Sequence, residues 1–177
     1  MRSWLPSMPS FRRVYLLFAL LTLLPLTSCG WQLRGVARLP AGITPVRIES
    51  ADPYSHFYRE LRRSLIAAGA RVTDGDLPAS AIVRVHGDAT GQRILSVSAR
   101  NTPEEYQVFY AVQYSVEVGG REVIIPQNLE LTSAYSYDSR VVLAKQREQH
   151  SIQQALAREL AGLVLRRLGS VKLEPPA

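Results

Sequence analysis

The strongest constraint on the fold is an alternating segment over residues 106–137. Between Tyr106 and Val118 every even position is apolar or aromatic, and most positions between them are polar. After Gly119-Gly120 the parity reverses, and the apolar residues are mostly odd-numbered. A period of two predicts half-buried strands, and two consecutive glycines suit a two-residue hairpin turn because both tolerate a positive φ. The segment therefore predicts one long antiparallel hairpin.

The glycine turn and the alternation require the same register, with Val118 opposite Arg121. The pairs expected from it are Tyr114–Ile125, Tyr110–Leu129 and Val108–Leu131. Pro126 donates no ladder hydrogen bond, so we expect it at a sheet edge or a bulge. The tyrosines on the apolar face are expected to pack under helices, with their hydroxyls at the rim. The other face is more polar and leaves room for a covering partner; its residues include Phe109, Ala111, Gln113, Ser115 and Ile124.

Weaker patterns define the remaining elements. The predicted elements are strands at 46–49, 81–86 and 95–99 and helices over about 54–68 and 141–168. Each helix carries an apolar stripe, namely Phe57, Leu61, Leu65 and Ala68 in the first and Ile152, Leu156, Leu160, Leu163, Val164 and Leu168 in the second. The helix between the first two strands allows those strands to be parallel. The order predicts an α+β fold: a two-layer sandwich, with a mixed sheet of about four strands and two helices packed on one face.

The chain begins with a segment typical of a lipoprotein signal peptide. Three arginines precede an apolar run that Pro25 ends, and the run is too short for a transmembrane helix. Residues 26–29, Leu-Thr-Ser-Cys, then resemble the lipobox of bacterial lipoproteins, in which the thiol of Cys29 takes a diacylglycerol. The alternative is an ordinary buried cysteine after a signal peptide.

This interpretation divides the chain into four parts. They are a signal peptide (1–28), a lipidated linker (29–42), a single α+β domain (43–169) and a Pro-rich tail (170–177) that we expect to be disordered. A diacylglycerol and an N-acyl chain on Cys29 would anchor the protein to a membrane without spanning it. Gly30 takes the place of the aspartate that commonly retains lipoproteins in the inner membrane, so an outer-membrane location is favoured. We expect no cofactor besides this covalent lipid.

The charge balance argues against nucleic acid as a partner. The chain has 21 Lys and Arg against 15 Asp and Glu. Removal of the predicted signal peptide takes away three arginines, which leaves 18 − 15 = +3. A mildly basic chain without a helix-turn-helix, zinc-finger or RNA-binding pattern does not indicate a nucleic-acid-binding protein.

The sequence contains no recognisable catalytic or metal-binding pattern. A single cysteine excludes both an internal disulfide and a zinc site built on several thiolates. No nucleophile elbow and no His-Glu-x-x-His pair occurs. His86 and His150 are expected to be surface or half-buried residues. We therefore expect a protein that is not an enzyme and that holds no metal.

Several segments together resemble one known family, the LPS-assembly lipoprotein LptE family. After Cys29, the residues Gly-Trp-Gln-Leu-Arg-Gly at 30–35 are similar to the opening of that family. Arg-Asn at 100–101, Glu-Tyr-Gln at 105–107, Tyr-Ser-Tyr-Asp at 135–138 and Leu-Ala-Lys at 143–145 match later segments in the right order. The resemblance covers nearly the whole chain after the signal peptide.

The resemblance implies a function that composition does not show. It implies an outer-membrane lipoprotein that faces the periplasm and plugs the lumen of the LptD β-barrel. Such a protein binds lipopolysaccharide, assists assembly of the barrel and helps to place lipopolysaccharide in the outer leaflet. It also implies that Arg100, in the loop before the long strand, and Lys145, in Leu-Ala-Lys, contact lipopolysaccharide. Each could instead be an ordinary solvated surface charge.

Two other classes of protein remain open on the sequence. The first is a lipid-anchored adaptor of another barrel-assembly or lipid-transfer system without lipopolysaccharide contact, which leaves the Trp-Gln-Leu-Arg and Leu-Ala-Lys segments unexplained. The second is a lipid-anchored periplasmic enzyme, which requires a catalytic constellation that the sequence does not display.

Overall fold

A computed structural model of the chain describes residues 39–40, 42–75, 77–137 and 142–171. The predicted signal peptide, the lipobox with Cys29 and the segment 30–35 lie outside these residues, as do Asp138 and the last six residues of the predicted tail. The lipid anchor and the boundaries of the predicted segments therefore stay predictions.

The described elements, in chain order, are β1 (Val46–Ser50), α1 (His56–Ala67), β2 (Val72–Thr73), β3 (Ala81–Val97), β4 (Pro103–Val118), β5 (Arg121–Ser136) and α2 (Val142–Gly169). The strands form one five-stranded sheet in the order β2-β1-β3-β4-β5. β1 is parallel to β2 and β3, whereas β4 is antiparallel to β3 and β5. The predicted α+β class with a mixed sheet and two helices is confirmed, with five strands instead of about four.

The structure corrects the sequence interpretation at β3. The two strands predicted at 81–86 and 95–99 are one continuous strand of 17 residues. Residues 87–94 include two glycines and do not alternate between apolar and polar side chains, because none of them is buried on either face. A strand without a buried face imposes no period of two on its sequence. β2 was missed because its two residues are too few to form a pattern.

The hairpin register is correct at the turn and wrong beyond it. Val118 lies opposite Arg121 as predicted, but Tyr114 lies opposite Gln127. Two irregularities each place an extra residue in β5, one of them beside Pro126. The three expected pairs are therefore replaced by Tyr114–Gln127, Tyr110–Leu131 and Val108–Ser133. Pro126 is where it was expected, next to a bulge in the edge strand.

The same irregularities exchange the environments of two isoleucines. Ile124 is expected on the open face of the hairpin, but it is buried opposite Val116. Ile125 is expected on the core face, but it is exposed. The two extra residues together shift the register by two, so the residues farther along β5 keep their predicted face.

The core confirms both helical stripes. Phe57, Leu61 and Leu65 of α1 are buried. They pack in one cluster with Tyr110 and Tyr114 of β4 and with α2, whose buried stripe residues are Leu156, Leu160, Val164 and Leu168. The predicted stripe members Ala68, Ile152 and Leu163 are partly buried against this cluster. The helices therefore cover the sheet face that carries the tyrosines.

Local chemistry sets the ends of α1. The hydroxyl of Ser55 accepts a hydrogen bond from the backbone N–H of Tyr58 at 3.1 Å, which caps the helix N-terminus. The predicted turn at 50–53 is closed by Asp52, whose carboxylate accepts from the N–H of Tyr54 at 2.9 Å. At the other end Gly69 adopts a φ of 86° and donates to the carbonyl of Ile66, as expected for the residue that ends a helix.

The sheet has two regions that we name for use below. The base comprises β1, β2 and the parts of β3, β4 and β5 at residues 81–85, 114–118 and 121–127. The ribbon comprises only three strands, at residues 87–97, 103–113 and 128–136. β1 ends opposite Val85, so β3 is an edge strand throughout the ribbon.

Candidate ligand-binding tip

A tight turn at residues 98–102 joins β3 to β4 and closes the far end of the ribbon. We call this turn, together with the last residues of β3, the tip (residues 93–102). The hydroxyl of Ser98 accepts hydrogen bonds from the backbone N–H groups of Arg100 (3.3 Å) and Thr102 (3.2 Å). The Ser98 N–H donates to the Thr102 carbonyl at 2.8 Å, and Asn101 adopts a φ of 57°. The backbone of Arg100 is therefore held in an ordered turn. The Arg100 side chain is exposed and has no ion-pair partner in the described part of the chain.

Lys145 lies in the first turns of α2 on an aromatic support. Its Nζ is 2.8 Å from Oε2 of Glu148 and 5.8 Å from the ring centroid of Tyr135. Tyr135 is buried, and its ring stacks on that of Tyr106 at 5.9 Å. A cation over an aromatic face is attracted by the ring quadrupole. The ion pair and the ring together fix the position of the ammonium group.

The tyrosine beneath Lys145 is itself fixed by a polar contact. The Tyr135 hydroxyl donates to Oε1 of Gln92 on β3 at 2.9 Å, across the intervening β4. Burial, followed by the proximity of Tyr106, raises the pKa of Tyr135, so its hydroxyl stays protonated and able to donate. Tyr137 packs edge-on against Tyr106 at 5.2 Å. These contacts join the start of α2 to the ribbon.

The structure places both predicted lipopolysaccharide-contacting residues towards one end of the ribbon. Tyr135, under Lys145, pairs with Tyr106, which in turn pairs with Ile94 of β3. Six residues beyond Ile94 the chain reaches Arg100. The two cations thus lie towards the same end of the ribbon. Glu148 and Tyr135 hold the Lys145 ammonium group, whereas only the backbone of Arg100 is held by hydrogen bonds.

The remaining tyrosines of the hairpin are structural, as predicted. Tyr110 and Tyr114 are buried under the helices. The Tyr110 hydroxyl donates to Oδ2 of Asp88 at 2.6 Å and accepts from the N–H of Phe57 at 3.1 Å. Burial and the hydrogen bond to Asp88 raise the pKa of Tyr110 far above its usual range. This hydroxyl therefore connects the first turn of α1 to β3.

Sequence reasoning missed the apolar part of the tip. Ile94, Leu95 and Val97 are each about half exposed. The β3–β4 register is irregular between Ile94 and Ser96 and again between Ser96 and Val97. The signal that could have found it is the run Arg-Ile-Leu-Ser-Val-Ser-Ala-Arg at 93–100, which combines aliphatic residues with two cations and no acid. From spacing alone, Leu95 and Val97 indicate only one side of a separate strand.

The sheet face opposite the helices is covered by ion pairs. In the base, Arg84 Nε is 3.0 Å from Glu49, and Arg47 pairs with the same glutamate at 2.9 Å. In the ribbon, the Arg93 guanidinium lies 5.6 Å from the ring centroid of Phe109 and pairs with Glu130 at 3.2 Å. Phe109 is on the face that was expected to leave room for a covering partner, and the Arg93 guanidinium partly covers its ring. This face is polar and internally satisfied.

A histidine pair lies between the two helices, away from the tip. The ring centroids of His56 and His150 are 5.1 Å apart with an edge-on geometry. Nη2 of Arg59 is 2.8 Å from Nδ1 of His56, and Nε2 of Gln154 is 2.9 Å from Nε2 of His150. Burial first, and then the nearby Arg59 and His150, lower the pKa of His56. The contact of Arg59 with Nδ1 favours a neutral imidazole at His56.

Within the described ranges, no group of three or more His, Cys, Asp or Glu is placed to hold a metal ion. Of the helices in those ranges, none is both long and apolar enough to span a bilayer. The tip presents the Arg100 cation beside exposed aliphatic side chains, an arrangement that can bind an anionic group.

Solved structures that share this fold define the class of protein. The crystal structure of the rare lipoprotein B from Shewanella oneidensis is similar with a TM-score of 0.62 and 25% identity, over 71% of this chain and 93% of that one. The solution NMR structure of a lipoprotein B from Nitrosomonas europaea has a TM-score of 0.64 and 24% identity, over 80% of this chain and 91% of that one, and it supports the fold alone. The fold is that of a class of bacterial lipoproteins.

The particular family follows from the sequence. The chain belongs to the family described as "LptE: Lipopolysaccharide-assembly", whose model matches residues 43–168. A relative named LPS-assembly lipoprotein LptE from Yersinia enterocolitica is 28% identical over 160 residues, which are 88% of this chain and 75% of the relative. One of the same name from Yersinia pestis is 26% identical over 163 residues, 90% of this chain and 77% of the relative. The resemblance noted in the sequence is confirmed.

Proposed function

We propose that this member of the LptE family is an outer-membrane lipoprotein that plugs the lumen of an LptD-type β-barrel and binds lipopolysaccharide at its tip. In this role it assists both the assembly of the barrel and the insertion of lipopolysaccharide into the outer leaflet. It acts by binding, not as an enzyme. Family membership supports the connection with lipopolysaccharide assembly. The observation that carries the site is Arg100, held in an ordered turn without an ion-pair partner among the described residues.

The tip suits the anionic part of lipopolysaccharide. A guanidinium can bind a phosphate through two parallel charge-assisted hydrogen bonds, whereas an ammonium group acts as a compact charge. Arg100 supplies the first from the β3–β4 turn, and Lys145 supplies the second from its support on Tyr135. The Lys145 ammonium group and the Arg100 backbone are in place before a ligand arrives, which lowers the entropic cost of binding.

The polar sheet face suits a plug. The lumen of a large outer-membrane barrel is polar and lined with water. A partner in that lumen needs a satisfied polar surface and not a large apolar patch. The ion pairs of Glu49 with Arg84 and of Arg93 with Glu130 supply such a surface on the side without helices.

The proposed anchor is the lipid on Cys29. Two or three acyl chains give stable membrane attachment where one chain gives only reversible binding. Replacing Cys29 by Ser should release the protein from the membrane fraction and abolish its labelling by a radioactive fatty acid. Retention of the label in this variant would refute the lipobox assignment.

The site is tested by charge reversal with matched controls. Arg100→Asp and Lys145→Asp should each weaken the binding of purified lipopolysaccharide to the detergent-solubilised protein by about tenfold, because each removes a charge-assisted contact. Arg71→Asp, at the base, and Arg147→Asp, two residues beyond Lys145 on α2, carry the same change in net charge at exposed positions. They should leave binding unchanged. Equal losses in all four variants would indicate a nonspecific charge effect and refute the site.

The plug is tested separately from the site. The tagged protein, solubilised from outer membranes in mild detergent, should recover a large β-barrel protein in near-equal amount. Mass spectrometry identifies that partner. Recovery of the chain alone, or with a soluble partner, would refute the plug and favour the lipid-anchored adaptor.

A further inference from the structure

We infer that the aliphatic side chains at the tip form a second part of the ligand site, which takes an acyl chain of the lipopolysaccharide whose phosphates the neighbouring cations bind. The inference rests on the proposed function and adds to it a specificity for acylated ligand. Ile94, Leu95 and Val97 carry it, together with Leu143 at the start of α2.

Of the seven large aliphatic side chains that are strongly exposed among the described residues, three lie at the tip and a fourth at the start of α2. Ile94, Leu95 and Val97 are 55%, 50% and 49% exposed, although they lie within four consecutive residues of one strand. Leu143, two residues before Lys145, is 74% exposed. Single exposed aliphatic residues are common on protein surfaces, but a cluster indicates an interaction site.

The structure shows why these side chains remain exposed. β1 pairs only with residues 81–85 of β3, so none of the described strands covers the outer side of β3 at the tip. The register is irregular on both sides of Ser96, which interrupts regular pairing with β4 at this point. The turn that follows is fixed by the Ser98 hydroxyl. The segment is thus held in place without being buried.

The charge pattern favours a lipid as the occupant. The segment 93–100 places its aliphatic residues between two arginines and contains no acidic residue. Arg93 is occupied by Glu130 and Phe109, but the Arg100 side chain has no ion-pair partner within the described ranges. Aliphatic side chains beside a cation match a molecule that has acyl chains next to phosphate. The wall of a polar barrel lumen offers no such combination.

The test compares two probes that share their phosphates. One is hexa-acylated lipid A, and the other is the same lipid A after mild alkali has removed its ester-linked chains. The full lipidated protein in mild detergent should bind the acylated probe about tenfold more tightly, since burying even a few methylene groups supplies this difference. The double variant Ile94→Ser/Val97→Ser should lose that preference and retain its affinity for the alkali-treated probe.

One control and two further variants make the result specific. Ile125→Ser removes an isoleucine that is 65% exposed on β5, outside the tip, and should keep the preference. Leu143→Ser changes a different element and should reduce the preference even if the double variant folds poorly. Arg100→Asp should weaken both probes equally, so that the cation and acyl contributions separate.

The outcomes distinguish the inference from the function on which it rests. If the double variant keeps its preference for the acylated probe while Arg100→Asp weakens both probes, the acyl site is wrong and the proposed cation site stands. If neither probe binds the unmodified protein, the proposed function fails. If the double variant keeps the preference but no longer co-purifies a barrel, the patch contacts protein and the inference is overturned. Equal binding of phosphatidylglycerol vesicles and the acylated probe would overturn it in favour of a general membrane contact.

Discussion

The two halves of β3 belong to one strand, yet they differ in almost every physical respect. In the base, Ala81, Val83 and Val85 are buried between parallel β1 and antiparallel β4. In the ribbon, none of residues 87–97 is buried, and the strand has a partner on one side only. Within β3, the base therefore contributes side chains to the buried core, whereas the ribbon leaves its side chains exposed. The proposed ligand site lies on the exposed half of this strand, away from its buried half.

The contrast between buried and exposed side chains predicts that a substitution in the core between the helices and the sheet lowers the free energy of unfolding most. Leu160 of α2 is fully buried in the core cluster. Leu160→Ala should reduce the free energy of unfolding by about 3 kcal/mol, because it removes buried methyl groups and leaves a cavity. Leu95→Ala, in the ribbon, should change it by less than about 1 kcal/mol, since the side chain is half exposed. Urea unfolding of both variants checks the contrast, and equal losses would remove the distinction between core and ribbon.

A smaller loss is expected where the two regions meet. Tyr110→Phe removes the hydroxyl that donates to Asp88 and accepts from the N–H of Phe57. Both partners lose their hydrogen bond, so the free energy of unfolding should fall by about 2 kcal/mol. Tyr137→Phe changes a partly buried tyrosine next to the ribbon and serves as the matched control. Indistinguishable unfolding curves for the two variants would show that the Tyr110 hydroxyl does not stabilise α1.

The helix interface should weaken in mild acid, with a smaller effect than the loss of the Tyr110 hydroxyl. The pKa of His56 in the folded protein is lowered, first by burial and then by Arg59 and His150, while Glu60 and Asp88 oppose the shift. The unfolded chain therefore takes up this proton more readily than the folded one. The contribution of the neutral His56 side chain to the free energy of unfolding is fully present above the unfolded pKa of about 6.5. It falls as the pH decreases below that value.

The measurement is thermal unfolding between pH 7.5 and pH 5. The melting temperature should decline on acidification in the unmodified protein, and His56→Gln should make this decline shallower. His86→Gln should leave it as it is, because His86 lies on β3 against Ser115, away from the helix interface. A decline that His56→Gln leaves intact would assign the pH dependence to other groups.

The smallest effect is expected on the open face of the ribbon. Gly91 lies opposite Phe109, and a Cβ at this position would come within 2.9 Å of the phenyl ring. Gly91→Ala should therefore displace the ring and cost up to about 1 kcal/mol. Gly87→Ala is the control, since a Cβ there meets nothing within 4 Å. The difference between the two melting temperatures measures how closely the ring packs, and no difference would mean that the ring moves freely.

Sequence patterns predicted those parts of the fold in which one face is buried. The hairpin, its Gly119-Gly120 turn and the stripe of α1 follow from alternation and from helical spacing, because burial selects the residue at every second or every third to fourth position. Residues 87–94 were missed as strand because exposure removes that selection. The register was wrong from Val116 onward, because bulges depend on packing against the helices and the neighbouring strand, which local spacing does not encode.

The candidate site divides in the same way. The resemblance of Arg-Asn at 100–101 and Leu-Ala-Lys at 143–145 to one family is enough to select the two cations. Nothing in the sequence explains physically why they should act together, since they are 45 positions apart. The pairing of Tyr135 with Tyr106 and of Tyr106 with Ile94 brings both to one end of the ribbon. The apolar part of the tip is defined only by the exposure of its aliphatic side chains in the folded protein.

By itself the sequence determined most of the elements, the fold class and the family, because periodicity and short motifs are local properties of the chain. The tertiary structure decided the length of β3, the register of β5 and the position of Arg100, Lys145 and the exposed aliphatic residues towards one end of the ribbon. These depend on which surfaces are covered by other elements. Which surfaces are covered depends on contacts that are distant in sequence. The exposed half of β3 therefore shows the weakest pattern in the sequence.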